Sequence, residues 1–269
     1  MIFLSVKDII KKWYLKLEFP KEYDDEFFSA LKKVKLPKEI TVETYPVTCE
    51  DGKMNLLSVL YMCERAAENM SKINIPDAVI VDTLKDIVTW TKTWTNLKGE
   101  LYLGQLSWLF YHLRGEIFKL GRLQFKAAKF VSDVEELNVK KGQNVIEIHI
   151  PEGGKLTVDE CKKSIESAKE FYRKHFPQFE YEYFSCHSWL LDQTLKKYLD
   201  ENSNILSFGD MFKRVAKEPS TAVMRYVVRW DATLSNLNEI DPKTSFAKKI
   251  KQAILSGEEF YEVLGVIKK

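Results

Sequence analysis

The sequence has little of what stabilises small secreted domains or anchors a chain in a bilayer. Its four cysteines, Cys49, Cys63, Cys161 and Cys186, are scattered and show no CxxC spacing. We therefore predict free thiols, with neither a disulfide framework nor a bound metal. No run of about 18 apolar residues occurs, so no membrane-spanning helix is predicted.

Net charge is also nearly lacking, since 41 Lys and Arg residues are balanced by 39 Asp and Glu residues for a formal charge of +2. Such a balance creates no overall field to attract nucleic acid or an anionic membrane, and we expect neither as a partner. The N-terminal segment has only a short apolar run, broken by Lys7 and Asp8, and is not predicted to be a signal peptide. The expected location is the cytoplasm.

Hydrophobic residues make up 45% of the 269 residues, which suffices for a packed core, and their spacing changes along the chain. Before residue 118 the apolar residues recur at the helical period, whereas from Leu120 onward they alternate as in strands. The sequence thus predicts an α+β fold. A helical N-terminal domain over residues 1–118 would pack on a mixed α/β domain over residues 119–269.

Five helices and one extended segment are predicted in the first domain. The helices span Ile2–Leu17, Asp24–Val34, Met54–Met70, Pro76–Gly99 and Leu101–Phe118, and the extended segment is Ile40–Val47. Asp82 and Asp86 lie four residues apart on one of these helices, where two carboxylates could bind a metal or an amine. A solvated helix face is the simpler interpretation of this pair.

The centre of the second domain is a strand, a glycine turn, a helix and a second strand. Residues Val145–Ile150 alternate between two faces, which is the period of a half-buried strand. A Gly153-Gly154 turn follows, and Thr157 with Glu160 forms a capping box that starts a helix. The aromatic-rich segment Tyr181–Leu191 forms the second strand. Together they predict a crossover unit, expected to be right-handed.

The remaining segments fill out the second domain. We predict a strand over Arg122–Phe130, a hairpin turn at Lys140–Gly142, short helices over Gln193–Asp200 and Phe208–Ala216, a β-rich stretch over Ala222–Trp230 and a helix over Ser245–Leu255. At least four strands mixed with helices are therefore expected.

The segment His149–Leu156, placed before a helix, is similar to the pyrophosphate-binding segment of GNAT acyltransferases. Three further segments, Leu120–Phe125, Cys186–Asp192 and Ser203–Ile205, resemble those of a bacterial acyltransferase family. That family pairs a helical N-terminal N-acyltransferase domain with a GNAT-like C-terminal domain. The resemblance implies an enzyme that transfers an acyl group, acetyl in the first instance, from coenzyme A to the amine of a small molecule.

The resemblance also implies a binding site for acetyl-CoA or another acyl-CoA. Backbone amides in a glycine turn at the start of a helix can bind a pyrophosphate, aided by the helix dipole. The candidate cofactor-binding residues are Ile150, Glu152, Gly153, Gly154, Lys155 and Leu156. Two negative residues, Asp159 and Glu160, and a capping box that occupies two amides would oppose a phosphate here.

Acyl transfer needs a base for the attacking amine and an acid for the leaving thiolate. Glu147 and His149 share one strand face, with Cα atoms roughly 7 Å apart. Glu147 is the first candidate for the base, because burial would raise its pKa. His187 would reach the same cleft if its strand parity matches, and by the resemblance Tyr198 would protonate the thiolate. The alternative is a solvated Glu147, a His149 that packs against a helix and a half-exposed structural Tyr198.

A second function fits the same residues. A GNAT-like fold whose loop no longer binds coenzyme A would be a non-catalytic protein that binds a small molecule or docks a partner. The backbone amides of the Gly153 turn distinguish the two functions. Available amides favour the enzyme, and amides occupied by neighbouring side chains favour the non-catalytic protein. No motif in the sequence specifies the acceptor or the oligomeric state.

Overall fold

The computed structural model describes residues 4–37 and 39–269 and divides the chain into two compact units, Met1–Lys119 and Leu120–Lys269. The assignment of residues 1–118 and 119–269 to two separate domains stays a prediction. Within the described ranges, no helix combines the length and the apolar character needed to cross a bilayer.

The first unit is built mainly of helices. They are α1 (Val6–Lys16), α2 (Asp24–Lys33), α3 (Gly52–Lys72), α4 (Asp77–Leu84), α5 (Asp86–Lys98) and α6 (Leu106–Arg114), followed by the short strand β1 (Ile117–Leu120). The Ser5 side chain caps α1 by accepting from the Asp8 amide, so this helix begins later than the predicted Ile2. Ile2 itself lies outside the described residues.

Three predictions for this unit are wrong. The helix predicted over Pro76–Gly99 is broken at Lys85 into α4 and α5. The segment Ile40–Val47 is a turn rather than a strand, closed by a bond from the Tyr45 amide to the Thr41 carbonyl. The helix predicted over Leu101–Phe118 is shorter in the structure, where α6 spans Leu106–Arg114. Gly115 caps the end of α6 with a φ of +66°.

The second unit contains β2 (Leu123–Lys129), β3 (Asn144–His149), α7 (Val158–His175), β4 (Tyr183–Ser188), α8 (Asn204–Gly209), β5 (Lys213–Pro219), α9 (Ser245–Leu255) and β6 (Tyr261–Lys268). Six strands form one mixed sheet in the order β1-β2-β3-β4-β6-β5. Strands β3 and β4 are parallel and are joined through α7. The predicted α+β fold, with a helical N-terminal part and a mixed sheet, is confirmed.

The core beneath one face of this sheet is aromatic. One face of α7, comprising Cys161, Ile165, Ala168 and Tyr172, is buried. The Tyr172 hydroxyl donates to the Phe125 carbonyl oxygen at 3.1 Å, and the Phe125 ring meets Phe184 edge-on with centroids 6.0 Å apart. The crossover helix is thus fixed to the sheet by packing and by one buried hydrogen bond.

Two predictions after β4 are wrong. The helix predicted over Phe208–Ala216 is α8 followed by β5, an outer strand whose residues are mostly exposed and therefore show no apolar alternation. The β-rich stretch over Ala222–Trp230 contains a π-helical turn, Met224–Val228. Strand β6 was not predicted at all.

A buried carboxylate organises part of the first unit. Asp86 is only 5% exposed, and its Oδ2 accepts from Trp108 Nε1 at 2.8 Å and lies 3.3 Å from His112 Nε2. The His112 side chain is fully buried. Asp82 is exposed on the separate helix α4, so the prediction that both carboxylates share one solvated helix face is wrong. Because the helix is interrupted at Lys85, only Asp86 of the two carboxylates points inward.

We expect Asp86→Ala to lower the free energy of unfolding by about 2 to 4 kcal/mol, because the half-buried Trp108 and the buried His112 side chains lose their acceptor. Asp82→Ala is the matched control and should change it by less than about 0.5 kcal/mol. Urea unfolding of both variants measures the difference. Equal losses in the two variants would contradict this role of Asp86.

Candidate active site

The ladder between the parallel strands β3 and β4 is short and does not extend to the carboxyl ends of the two strands. Strand β2 pairs with β3, and β4 with β6, through six residue pairs each. Between β3 and β4, by contrast, the ladder consists of Ile146 with Phe184 and Glu147 with Ser185. All residues of these strands are described, and no pairing is found beyond Glu147 on β3. An opening between adjacent strands therefore begins at Glu147.

Polar side chains gather on the sheet face opposite α7. Residues paired across a ladder share one face, so the register places Lys126, Glu147 and Ser185 in a row. His149 and His187 lie two residues further along β3 and β4 and therefore occupy the same face. This answers the parity question for His187, whose strand face matches that of Glu147.

Glu147 is held by two basic groups. Its Oε2 accepts from Lys126 Nζ at 2.6 Å and lies 3.5 Å from His149 Nε2. Burial raises the pKa of Glu147, but the neighbouring His149 and Lys126 outweigh it, and the pKa falls to about 2. The expected rise toward neutrality is therefore wrong, because the sequence did not disclose Lys126 as the partner. A carboxylate with so low a pKa is a poor base and a good electrostatic partner for His149.

The other two predicted catalytic residues have different surroundings. His187 is about half exposed, and its Nε2 lies 3.4 Å from Glu218 Oε1. Tyr198 follows a 3₁₀ helix, donates its hydroxyl to Glu258 at 3.0 Å and packs against Phe260. It lines a groove of about 820 Å³ formed with residues of α9 and the segment 256–261. Their catalytic roles stay predictions.

The predicted cofactor loop lies between the end of β3 and the start of α7. Gly153 and Gly154 adopt φ +91° and +67°, a backbone region that other residues rarely adopt. Among the predicted loop residues, Glu152, Gly153, Gly154 and Lys155 are exposed, Ile150 is half-buried and Leu156 is buried. The exposed loop with a buried Leu156 behind it presents backbone to solvent at the start of a helix.

The start of α7 differs from the predicted capping box. The Thr157 side chain accepts from the Glu160 amide at 3.4 Å, and its hydroxyl donates to the Glu160 carboxylate at 3.1 Å. The carboxylate thus bonds the hydroxyl, whereas a capping box would use the Thr157 amide. Thr157 consequently occupies one amide of the first turn instead of the expected two.

Two residues of this region were missed from the sequence. Lys126 looked like part of an ordinary strand, and only the register places it against Glu147. Arg122 lies in the turn before β2, and its Nη1 donates to the Pro151 carbonyl at 2.9 Å. Burial lowers the pKa of Arg122. An arginine at the start of a predicted hairpin carried no signal of a partner about 30 residues away.

The pKa of Glu147 leads to a pH dependence of stability. A folded-state pKa of about 2, below the ordinary 4.5, means that Glu147 stabilises the fold above about pH 4.5 and loses this effect as the pH falls toward 2. Glu147→Gln should remove on the order of 2 kcal/mol near pH 7, and the difference from wild type should shrink below pH 4.5. Urea unfolding between pH 7 and about 3 measures it, with exposed Glu170→Gln as control. A constant difference at every pH would refute the pairing.

Comparison with known proteins bears on this geometry. A family model described as a GNAT-like C-terminal domain matches residues 117–267, more than half of the chain. No curated protein sequence matches the chain significantly.

Solved structures of acyltransferases share the fold. An acyltransferase in complex with decanoyl-CoA and teicoplanin aligns with 99% of this chain and 89% of its own, with a TM-score of 0.79 and 20% identity. A mutant acyltransferase in complex with octanoyl-CoA aligns with 96% of this chain and 87% of its own, with a TM-score of 0.77 and 20% identity. A third, in complex with decanoyl-CoA, covers the same shares with a TM-score of 0.73 and 23% identity. With the family model matching from β1 to β6, the chain belongs to the GNAT-like C-terminal domain family.

Proposed function

We propose that the protein is an acyl-CoA-dependent N-acyltransferase acting on the amine of a small molecule. The observation that carries the proposal is the opening between β3 and β4 beyond Glu147, beside a glycine turn at the start of α7. In this proposal the end of β3 would lie along a linear ligand, and the adjoining turn would offer amides to its anionic end. This is the combination that an acyl-CoA requires.

Each part of the loop has a role in this proposal. Ile150, at the end of β3, would offer backbone groups to the amides of pantetheine. The amides of Glu152, Gly153, Gly154 and Lys155 would face the pyrophosphate, supported by the dipole of α7. Leu156 is buried and would contribute its backbone while its side chain anchors the loop. The single amide occupied by Thr157 leaves this arrangement feasible.

The low pKa of Glu147 favours His149 as the base. The amine nitrogen attacks the thioester carbonyl carbon, the C–N bond forms, and the C–S bond breaks to release a thiolate. Imidazole is the side chain whose ordinary pKa suits proton uptake near neutral pH. We propose that the Glu147 carboxylate orients the His149 imidazole and that this imidazole takes the proton of the amine. Tyr198 stays the predicted proton donor to the thiolate.

We propose an acyl group longer than the expected acetyl. The structurally similar acyltransferases are complexed with decanoyl-CoA and octanoyl-CoA. The acceptor that occurs with one of them, teicoplanin, supports a small-molecule acceptor for this chain as well. Calorimetry with coenzyme A and with acetyl-, octanoyl- and decanoyl-CoA tests the acyl preference. Tightest binding of acetyl-CoA would restore the original expectation, and no binding of any of them would favour the non-catalytic alternative.

Gly154→Asp should abolish coenzyme A binding without unfolding the protein, because the new carboxylate would oppose the pyrophosphate. Gly142→Asp is the matched control, since both glycines are exposed and have positive φ values of +67° and +88°. Both variants therefore incur similar backbone strain. Calorimetry with coenzyme A provides the readout. Equal affinity of the two variants would remove this loop from the site.

His149→Gln should lower turnover by about 10²-fold or more, the usual size of a general-base contribution, with coenzyme A binding nearly intact. Glu147→Gln should lower turnover by only about 10-fold, because it loosens the orientation of His149 and leaves the base in place. Thiol release from octanoyl-CoA with a panel of primary amines measures both. A larger loss for Glu147→Gln would return the role of base to Glu147.

A further inference from the structure

Arg122 connects the turn before β2 to the predicted cofactor loop. Its Nη1 donates to the Pro151 carbonyl oxygen at 2.9 Å and its Nε to the Lys155 carbonyl oxygen at 3.2 Å. These two carbonyls stand at the first and last residues around the Gly153-Gly154 turn. A single guanidinium therefore holds both ends of the loop.

The guanidinium lies directly beneath the turn. A Cβ added at Gly154 would lie 3.7 Å from Arg122 Nε and 3.9 Å from Arg122 Cδ. The carbonyls of Pro151 and Lys155 thus point toward Arg122. Because the C=O and N–H groups of one trans peptide point in opposite directions, fixing these two carbonyls toward Arg122 turns the amides of Glu152 and Leu156 away from it.

Arg122 is itself fixed in place by its backbone. The Arg122 amide donates to Ser164 Oγ of α7 at 2.7 Å, and Ser164 is buried. The preceding Gly121 adopts φ +74°, and a Cβ there would lie 2.8 Å from the same Ser164 oxygen. The close approach of this turn to α7 explains why a glycine precedes the arginine.

We propose that Arg122 is a positioning residue for acyl-CoA binding. It fixes the loop Pro151–Lys155 so that the loop amides receive the pyrophosphate, and it acts through two hydrogen bonds to carbonyls rather than by contacting the phosphates. This inference rests on the proposed function. The two bonds require the forked guanidinium. A lysine carries the same charge on a single nitrogen and cannot span both carbonyls in this way.

Arg122→Lys and Arg122→Gln separate the clamp from the charge. Both should raise the Kd for coenzyme A by about 10- to 100-fold, since each loses bonds made by a charged donor. At saturating octanoyl-CoA, kcat should change by less than about 3-fold. Hydrogen exchange of the amides in residues 152–157, measured without ligand, should speed up in both variants.

Tyr172→Phe is the matched control, because it removes the buried bond from α7 to the Phe125 carbonyl of β2 and leaves the Arg122 guanidinium on its two carbonyls. Its Kd for coenzyme A should stay within about 3-fold of wild type, even where thermal unfolding shows a loss of stability. Wild-type affinity in Arg122→Lys would overturn the proposal and assign the effect to charge. Slow loop exchange in both Arg122 variants would also overturn it. Lack of coenzyme A binding by the wild type would instead reject the proposed function.

Discussion

The parallel pairing of β3 with β4 is the constraint on which the second unit depends. Parallel strands cannot be joined by a tight turn, so the chain must cross over, and α7 is that crossover. The β3–β4 ladder has two residue pairs, whereas β2 pairs with β3, and β6 with β4, through six residue pairs each. Strands β3 and β4 can therefore separate at one end and still remain in the sheet. The ladder with β4 therefore does not reach the carboxyl end of β3, where an extended ligand could pair as an added strand would.

A second constraint is the charge on the face that borders this opening. Burial alone would push Glu147 toward its neutral form, and a neutral carboxyl would hold His149 weakly. His149 and the ammonium of Lys126, whose Nζ lies 2.6 Å from the carboxylate, together keep the half-buried Glu147 ionised. The three side chains therefore form one charged cluster, in which His149 and Lys126 both stabilise the carboxylate of Glu147.

Local signals in the sequence were sufficient for the crossover unit and for α9, because alternation, a glycine turn and a threonine cap all act within a few residues. Non-local features were not accessible in this way. The hairpin between β2 and β3 is centred on Glu135–Leu137, where Val134 bridges Val139, and not on the turn predicted at Lys140–Gly142. The position of this centre sets the register that pairs Lys126 with Glu147. The partners of Asp86 and of Arg122 likewise come from other elements. The place of the Gly153-Gly154 turn between β3 and α7 was thus predictable, whereas the charged surroundings of Glu147 required the register.

Strand β5 also bears on how copies of this protein meet. It is the last strand of the sheet order, so one side of its backbone is a potential template for another chain. Three features of β5 oppose pairing with another chain. They are the exposed side chains of Lys213, Lys217 and Glu218, a register irregularity between Arg214 and Ala216, and Pro219 at the end of the strand. Charge, bulge and proline each disfavour strand addition. Growth of the sheet from one copy into the next is therefore disfavoured at this edge, and the protein is protected here against edge-to-edge aggregation.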